Sequence, residues 1–332
     1  MTKERCTVGD YAHIIADSPS GARGVPGDSE RLAKDPDNLM LLCRECHNRI
    51  DRHGQNNQYT PETLRSMKRE HEERIQLIYS ANGVKESLTI LMSFPIGPHP
   101  PIITAEEIHY AMLENSGYTR FPTSKDVNID RSNFDVLDDA HEFWSLAGDI
   151  LTKLYEQRIL PEITARNGVT HLTVAAFAPI PILMKLGALL GNKLEATILD
   201  MPDERWLWDK HPDCPAPEFV YDVPDSLPRE VAAVVSISNI ACHPNMPMVE
   251  FKAINPNRAI IRTESHVQAF KKTFNDFLTN LVRSGVQVLH IHPATPLCAS
   301  VEIGRLLLLK TFEEIHVWEW QAPNWKSAIR LK

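Results

Sequence analysis

The sequence predicts an α/β protein in two parts, residues 1–80 and 81–332, the second built from two Rossmann-like halves. Three observations carry this. From residue 171 onward, apolar strand-like runs alternate with segments of helical periodicity, which indicates a parallel sheet with crossover helices. A strand–proline loop–helix–strand pattern occurs twice in that region. The first 54 residues, by contrast, are polar, rich in turn signals, and hold three of the six cysteines.

The composition bounds the function classes. With 332 residues, 43% hydrophobic and 23% charged, the chain is of ordinary globular make-up and long enough for two or three domains. The net charge of -8 excludes a protein that binds nucleic acid over its whole surface; any such contact must use one local face. Residues 1–80 carry 12 Lys+Arg and 13 Asp+Glu, a net of -1, and the remainder carries -7. The first fifteen residues include Lys3, Glu4, Arg5 and Asp10 and form no apolar signal region. The longest apolar run, Val174 to Gly191, contains Pro179, Pro181 and Lys185, which argues against a membrane span. A cytoplasmic protein is expected, in which clustered cysteines suggest metal before disulfide.

Taken in order, His13 lies on a short apolar stretch that reads as a strand, and Gly21, Gly24, Pro26 and Gly27 mark a loop. Asp35-Pro36-Asp37-Asn38 is a turn ahead of the apolar Leu39 to Leu42. Pro61 to Tyr79 reads as a charged helix capped by Thr60, followed by a linker over Ala81 to Lys85. Ser87 to Phe94 is a strand, and the proline-rich Pro95 to Pro101 is irregular. Asp135 to Tyr155 is helical, with Phe143, Leu146, Ile150 and Leu154 on one side. Strands are then expected at 171–177, 194–199, 231–237, 286–291 and 314–318, and helices at 180–190, 266–283 and 298–310.

The repeat pairs His171 to Pro179 with Val288 to Pro296. Eight residues after each proline comes a glycine, Gly187 or Gly304, and eleven later a strand isoleucine, Ile198 or Ile315. A W-x-W follows in both copies, Trp206/Trp208 and Trp318/Trp320. Two such halves make a pseudo-twofold pocket, and open parallel sheets bind ligands beyond their strand carboxyl ends. The proline loops lie there, as ligand contacts or as plain strand terminators. Candidate ligand residues are Phe177, Pro179, His292, Thr295 and Pro296, with Ser236 and Ser238 at the end of the strand Val231–Ile237. The tryptophans either stack on bases or fill the core. Lys185 and Arg305 either neutralise phosphate or are solvated.

In the N-terminal part, His47 and Asp51 are four residues apart, so on a helix they face the same way and can share a divalent ion. His13 on a strand, Asn38 opening a second apolar stretch and His47 on the helix resemble the HNH nuclease motif of the ββα-metal fold. The resemblance implies that His13 is the general base that activates water against a phosphodiester, and that Asn38 fixes the loop and orients it. It also implies that His47 and its neighbours hold one divalent metal such as Mg²⁺. Ala12 stands where many members carry a further metal ligand, a loss that Asp51 can compensate. Cys43 and Cys46 form one C-x-x-C, and with Cys6 make three ligands of a structural Zn²⁺ site that needs a fourth. Arg23, in the glycine-rich loop, is either a DNA phosphate contact or a turn-surface arginine.

The duplicated region, with Phe177-Ala-Pro-Ile-Pro181 and Gly187 matched by His292-Pro-Ala-Thr-Pro296 and Gly304, resembles a SAVED domain, a fusion of two CARF-like units. The whole is similar to the HNH–SAVED effectors of cyclic oligonucleotide-based antiphage signalling. That resemblance implies a switch: a cyclic di- or trinucleotide binds the SAVED domain, the protein forms a homo-oligomer, and the HNH domains cut double-stranded DNA. Two alternatives stand beside it: a sensor whose HNH domain is inert, and hydrolysis of the cyclic nucleotide itself with His290 and His292 as the acid–base pair.

Overall fold

The computed structural model describes residues 9–332 except 54–57, 81–84, 98–102, 117–119, 124, 132–133, 165–168, 202–204, 207, 209–215 and 308. The expected linker over Ala81 to Lys85 thus falls almost wholly outside the described residues, as does Cys6. The chain divides into two compact units, Met1–Gly83 and Val84–Lys332.

The first unit is a hairpin backed by helices. Strands β1 (Asp10–His13) and β2 (Leu39–Leu42) pair antiparallel, with Ala12 opposite Met40 and His13 opposite Leu39. The long connection between them holds a short helix α1 (Asp28–Leu32). Helices α2 (Arg44–His53) and α3 (Pro61–Ser80) follow. Because side chains alternate along a strand, Ala12 turns inward, where it joins Ile14, Ile50 and Leu64 in a small core. Tyr11 and Leu41, paired on the opposite face, stay 73% and 70% exposed, so that face of the hairpin is open.

The second unit contains two sheets of the same topology. In the first, β3 (Lys85–Ser93) is followed by α4 (Ala105–Asn115), β4 (Arg120–Pro122), β5 (Val127–Asp130) and α5 (His141–Leu154). A π-helical turn (Tyr155–Ile159), α6 (Leu160–Thr164), β6 (His171–Phe177), α7 (Ile180–Leu190) and β7 (Glu195–Ile198) complete it. The strand order is β4-β3-β6-β7, all parallel, with β5 continuing the β4 edge beside β3. After β8 (Phe219–Tyr221), the second sheet has β9 (Glu230–Ser236), β10 (Met248–Ala253), α8 (Glu264–Arg283), β11 (Val288–Ala294), α9 (Leu297–Leu306) and β12 (Glu314–Gln321). Here the parallel strands run β12-β11-β9-β10, flanked by antiparallel β13 (Asn324–Arg330) and β8.

Numbered within each half, both sheets read 2-1-3-4, the doubly wound order in which connections leave strand 1 in opposite directions and open a crevice at the strand 1–strand 3 carboxyl ends. The correspondence reaches single hydrogen bonds: Ser93 pairs with Phe177 as Ser236 pairs with Ala294. The next amide then donates across the gap, Phe94 to the Phe177 carbonyl and Ile237 to the Ala294 carbonyl, both at 2.9 Å.

The matched glycines explain how the halves join. Helices α7 and α9 are in close contact, and a Cβ on Gly187 would run into the Val301 carbonyl, one on Gly304 into the Met184 carbonyl. Only residues without a side chain allow this reciprocal approach. Around the helix pair lies one large core. Leu88, Ile90 and Met92 of β3 contribute to it, while Leu91, on the other face of β3, packs with Ile108, Ala175 and Trp206 under α4. Burial on both faces is what makes these parallel strands read as unbroken apolar runs.

Two helix ends differ by four residues or more from the sequence expectation. The helix expected from 135 begins at His141, because Asp138 is used before it, its carboxylate accepting the Gly97 amide at 3.1 Å. Helix α9 ends at Leu306 rather than 310, where Leu307 turns to an extended backbone. Trp206 and Trp208 lie on no strand; they are buried in different clusters, which settles them as core residues.

Candidate functional site

Among the N-terminal residues, His13 ends β1 half-buried, and its Nε2 lies 3.0 Å from the Ala33 carbonyl oxygen. A carbonyl only accepts, so Nε2 carries the hydrogen and the neutral ring keeps its lone pair on Nδ1. Asn38 is buried, for a physical reason: it satisfies the backbone where the loop leaves β1. Its Oδ1 accepts the Ile15 amide at 2.8 Å, and its Nδ2 donates to the carbonyls of Ile15 and Leu32 at 2.8 and 3.2 Å. It thereby fixes the chain one residue before Ala33, whose carbonyl holds the imidazole. Asn38 does not touch His13 itself; it is a positioning residue.

Arg23 is neither a phosphate contact nor a surface turn residue. Its side chain is 3% exposed and spends its donors inside the unit: Nε on the Ile14 carbonyl, Nη1 on Ile50, and Nη2 on His13 and on Asp51 Oδ1, between 2.7 and 3.1 Å. A guanidinium with its fork already filled cannot also clamp a phosphate. What it does instead is tie the end of β1 to α2.

On α2, the i, i+4 spacing brings His47 Nε2 to 3.5 Å from Asp51 Oδ2. Asp10, which the sequence reading missed, lies 4.0 Å from the other ring nitrogen, Nδ1. Its parity with Ala12 on β1 is the signal that could have found it. Two donors 3.5 Å apart can both reach one ion at ~2.1 Å, and Mg²⁺ keeps several waters, needing only one or two protein ligands. The His47–Asp51 pair thus fits a hydrated divalent cation. Among the described residues, no three His, Cys, Asp or Glu side chains converge on one point. Cys43 and Cys46 face each other as a free thiol pair, with the Cys46 amide and thiol drawing the Cys43 pKa down and Cys43 pushing Cys46 up. As zinc ligands they would make two of the four needed, and the described residues add no third.

In the second unit, the carboxyl-end crevices are more tightly closed than the sequence suggested. Ser236 is 1% exposed and its hydroxyl accepts the Ala241 amide at 3.1 Å, so it holds a turn rather than facing a ligand. Thr295 is 6% exposed, its hydroxyl 2.7 Å from that of Ser300. Pro179 and Pro296 are buried where α7 and α9 begin. Phe177 and Ser238 stay half-buried at this edge.

His292 is corrected outright. It is 1% exposed, stacked on Trp318 at 5.3 Å and edge-on to Trp325 at 4.8 Å. Burial pushes its pKa down to about 4, so it is a neutral aromatic filler. His290 is fixed too. The Trp318 indole N–H donates to its Nδ1 at 3.0 Å, which leaves Nε2 as the donor to Glu230 Oε1 at 2.8 Å. With one ring enclosed and the other held between two partners, His290 and His292 are not an acid–base pair for hydrolysis. Arg305 is no phosphate ligand either: it is buried, with Nη1 on Glu302 at 2.8 Å and its other nitrogens on the carbonyls of Gly191 and Leu194. Lys185 is half-buried, with Asp149 as the nearby opposite charge.

A cavity of about 530 Å³ opens beside the carboxyl end of β10. Ile254 and Ile260 give it apolar wall; Asn255, Asn257 and Arg262 give it polar groups. The Asn257 side-chain amide is engaged in a turn with Asn255 and Ala259, and Glu218 adds a carboxylate to the polar lining. A size of 300–1,000 Å³, apolar walls and a few donors are what a small-molecule site requires. The sequence signal was there: a strand ending in Asn-Pro-Asn-Arg ahead of a Thr-capped helix.

Among curated proteins, none matches this chain. Solved structures of Cap4 SAVED/CARF-domain containing receptors are similar at low level. That from Acinetobacter baumannii has 14% identity and a TM-score of 0.47, covering 92% of this chain and 65% of that one. The same receptor solved with the cyclic trinucleotide 3'3'3'-cAAA gives 11% identity, a TM-score of 0.46, and coverage of 93% and 68%. The Moraxella osloensis receptor gives 12% identity, a TM-score of 0.47, and coverage of 79% and 54%. This chain thus spans about two thirds or less of their length. No helix among the described residues is long and apolar enough to cross a membrane. The family model for the SMODS-associated and fused to various effectors sensor domain matches residues 153–331, more than half of the chain, which therefore belongs to the SAVED family.

Proposed function

We propose that this chain is a ligand-gated nuclease of antiphage defence, in which the SAVED unit senses a cyclic di- or trinucleotide and the N-terminal unit hydrolyses double-stranded DNA. The family is described as a sensor fused to effectors, which supports the sensing half. The observation that carries the nuclease half is His13 held by the Ala33 carbonyl, since this leaves Nδ1 as a base at the end of a strand. Nδ1 takes a proton from water, and the hydroxide formed attacks phosphorus and expels a sugar oxygen. A divalent ion bound by His47 and Asp51 supplies stabilisation of the charge on the phosphate and the leaving oxygen. Arg23 keeps Asp51 and the β1 end in fixed relation, and Asn38 keeps the Ala33 segment in place.

Charge explains the gating. A body of net -7 beside a nuclease of net -1 repels DNA. Assembly into a homo-oligomer puts several nuclease units on one duplex and adds avidity, and two active sites serve the two strands.

The test is nicking of supercoiled plasmid with Mg²⁺, with and without a panel of cyclic di- and trinucleotides. Wild type should cut only with its nucleotide, and His13→Ala should bind the nucleotide without cutting. Cutting by His13→Ala at wild-type rate would remove His13 as base. A wild type that binds a nucleotide and never cuts would establish the second reading, an inert sensor, which Ala12 and the two-residue donor set favour.

A further inference from the structure

Ala12 offers a cation nothing, yet strand β1 does present one carboxylate to the helix packed against it. Side chains alternate along a strand, so Asp10 shares a face with Ala12, and α2 lies against β1. His47, on α2, stands between two acids. Its Nε2 is 3.5 Å from Asp51 Oδ2, and its Nδ1 is 4.0 Å from Asp10 Oδ2.

The two acids are not equivalent. Asp51 Oδ1 accepts from Arg23 Nη2 at 3.0 Å, and that arginine side chain is buried. Asp51 is thus fixed in place with much of its charge balanced, while its Oδ2 points at His47. Asp10 has no Lys or Arg partner among the described residues; its ionic contact is His47. A neutral imidazole has a single lone pair. For Nε2 to meet a cation together with Asp51, the ring hydrogen must sit on Nδ1. That is the nitrogen Asp10 faces. A hydrogen there is attracted by the carboxylate, and a lone pair there is repelled by it.

We propose that Asp10 is a positioning residue of the cation site: acting on Nδ1, it sets the tautomer and orientation of His47, so that Nε2 and Asp51 together face the divalent ion. It rests on the metal-binding part of the function proposed above. Metal-ligating histidines are held this way by an acceptor on their other ring nitrogen, and the ligand depends on that partner. At 4.0 Å the contact is electrostatic, longer than a direct hydrogen bond. A contact this exposed adds little stability, but it need only decide between two tautomers.

The competing accounts are a strand-end carboxylate that acts on nothing and a direct ligand of the ion. Titration of the full chain with Mn²⁺, followed by electron paramagnetic resonance, separates them with no DNA or nucleotide present. Asp10→Ala should bind Mn²⁺ at least ~10-fold more weakly, the low end of the loss expected for such a partner. Asp10→Asn keeps an oxygen that accepts from Nδ1 and should lose less. Undiminished affinity in Asp10→Ala would overturn the proposal, and a loss in Asp10→Asn as large as in Asp10→Ala would make Asp10 a direct ligand instead. The ring ¹⁵N resonances of His47 in the metal-free chain give a second readout, which a merely structural role would not move. They should report hydrogen on Nδ1 in wild type and a shift toward hydrogen on Nε2 in Asp10→Ala; an unchanged ratio would overturn the proposal whatever the affinities. His47→Ala identifies failure of the underlying reading. If it binds Mn²⁺ as wild type does, the ion is not held by His47, and both fall. If it binds weakly while Asp10→Ala binds normally, the role of Asp10 alone is refuted.

Discussion

Gly304→Ala tests the joint between the two halves, and its sign is diagnostic. Gly304 lies inside α9, where helix propensity alone favours alanine over glycine by about 1 kcal/mol. The structure predicts the opposite. A Cβ at 304 meets the Met184 carbonyl and the Ala188 amide of α7, both backbone, so no rotamer change relieves the contact. The helices must separate, and overpacking of this kind costs ~3 kcal/mol at the upper end of its usual range. The net loss of about 2 kcal/mol corresponds to a Tm roughly 4–8 °C lower for a unit of this size. Gly187→Ala should behave alike, since its Cβ meets the Val301 carbonyl. The double variant should fall short of the sum, because one separation relieves both contacts. Thermal unfolding followed by circular dichroism measures all three. A Tm of Gly304→Ala equal to or above wild type would refute the close approach of α7 and α9.

Further outcomes follow from the same geometry. His13→Ala should lower DNA cleavage by ~10²–10⁴-fold, the usual contribution of a general base, with nucleotide binding unchanged in calorimetry. Arg23→Ala strands three backbone carbonyls and Asp51, and should destabilise the N-terminal unit by ~3 kcal/mol, seen as faster proteolysis of residues 9–80; intact stability with weakened DNA binding would restore the phosphate role. His47→Ala and Asp51→Ala should each weaken Mg²⁺ binding; unchanged affinity in Asp51→Ala would make Asp51 only a partner of Arg23. His292 has a folded-state pKa of about 4 against 6.5 when unfolded, so its stabilising contribution is complete above pH 6.5 and is lost as pH falls toward 4. The urea midpoint of wild type should therefore lose ground to that of His292→Gln between pH 7 and 5; a constant gap would mean that His292 is not buried neutral.

Much of the fold was legible because the strands that matter most are central ones. β6, β9 and β11 are buried along almost their whole length and end in marked loops, and β6 and β11 precede helices of clear periodicity. Several of the elements not anticipated are short or weakly patterned. β4 and β5 have three and four residues, and β10 alternates exposed and buried positions beside a proline-rich loop. The 2-1-3-4 order rests on pairings between strands distant in sequence, which periodicity does not report. Site residues failed for a related reason. Ser236, His292 and Thr295 have the chemistry of ligand contacts, but whether they face a ligand depends on the neighbours that cover them. Trp318 and Trp325 enclose His292 from strands β12 and β13, and no local pattern reveals that. Arg23 was misjudged likewise, since the carbonyls it binds come from residues 9 to 27 positions away.

The carboxyl ends show how the two halves stay alike where the sequence does not. Buried Asp200 holds the start of α9: its Oδ2 accepts the Cys298 amide at 3.0 Å, while its Oδ1 accepts the Met201 amide at 2.7 Å. Strand pairing identifies its counterpart. Val174 pairs with Ile198 as Ile291 pairs with Val317, so Asp200, two residues on, corresponds to Glu319. Burial pushes the Glu319 pKa up to about 8. Each half thus places a buried carboxyl group at the same point beyond its fourth strand's centre, although the sequence offset of the repeat matches Asp200 to Val317. The offset shifts by two between the helix and the strand that follows it, so spacing in the sequence locates the paired glycines but not the paired carboxyl groups.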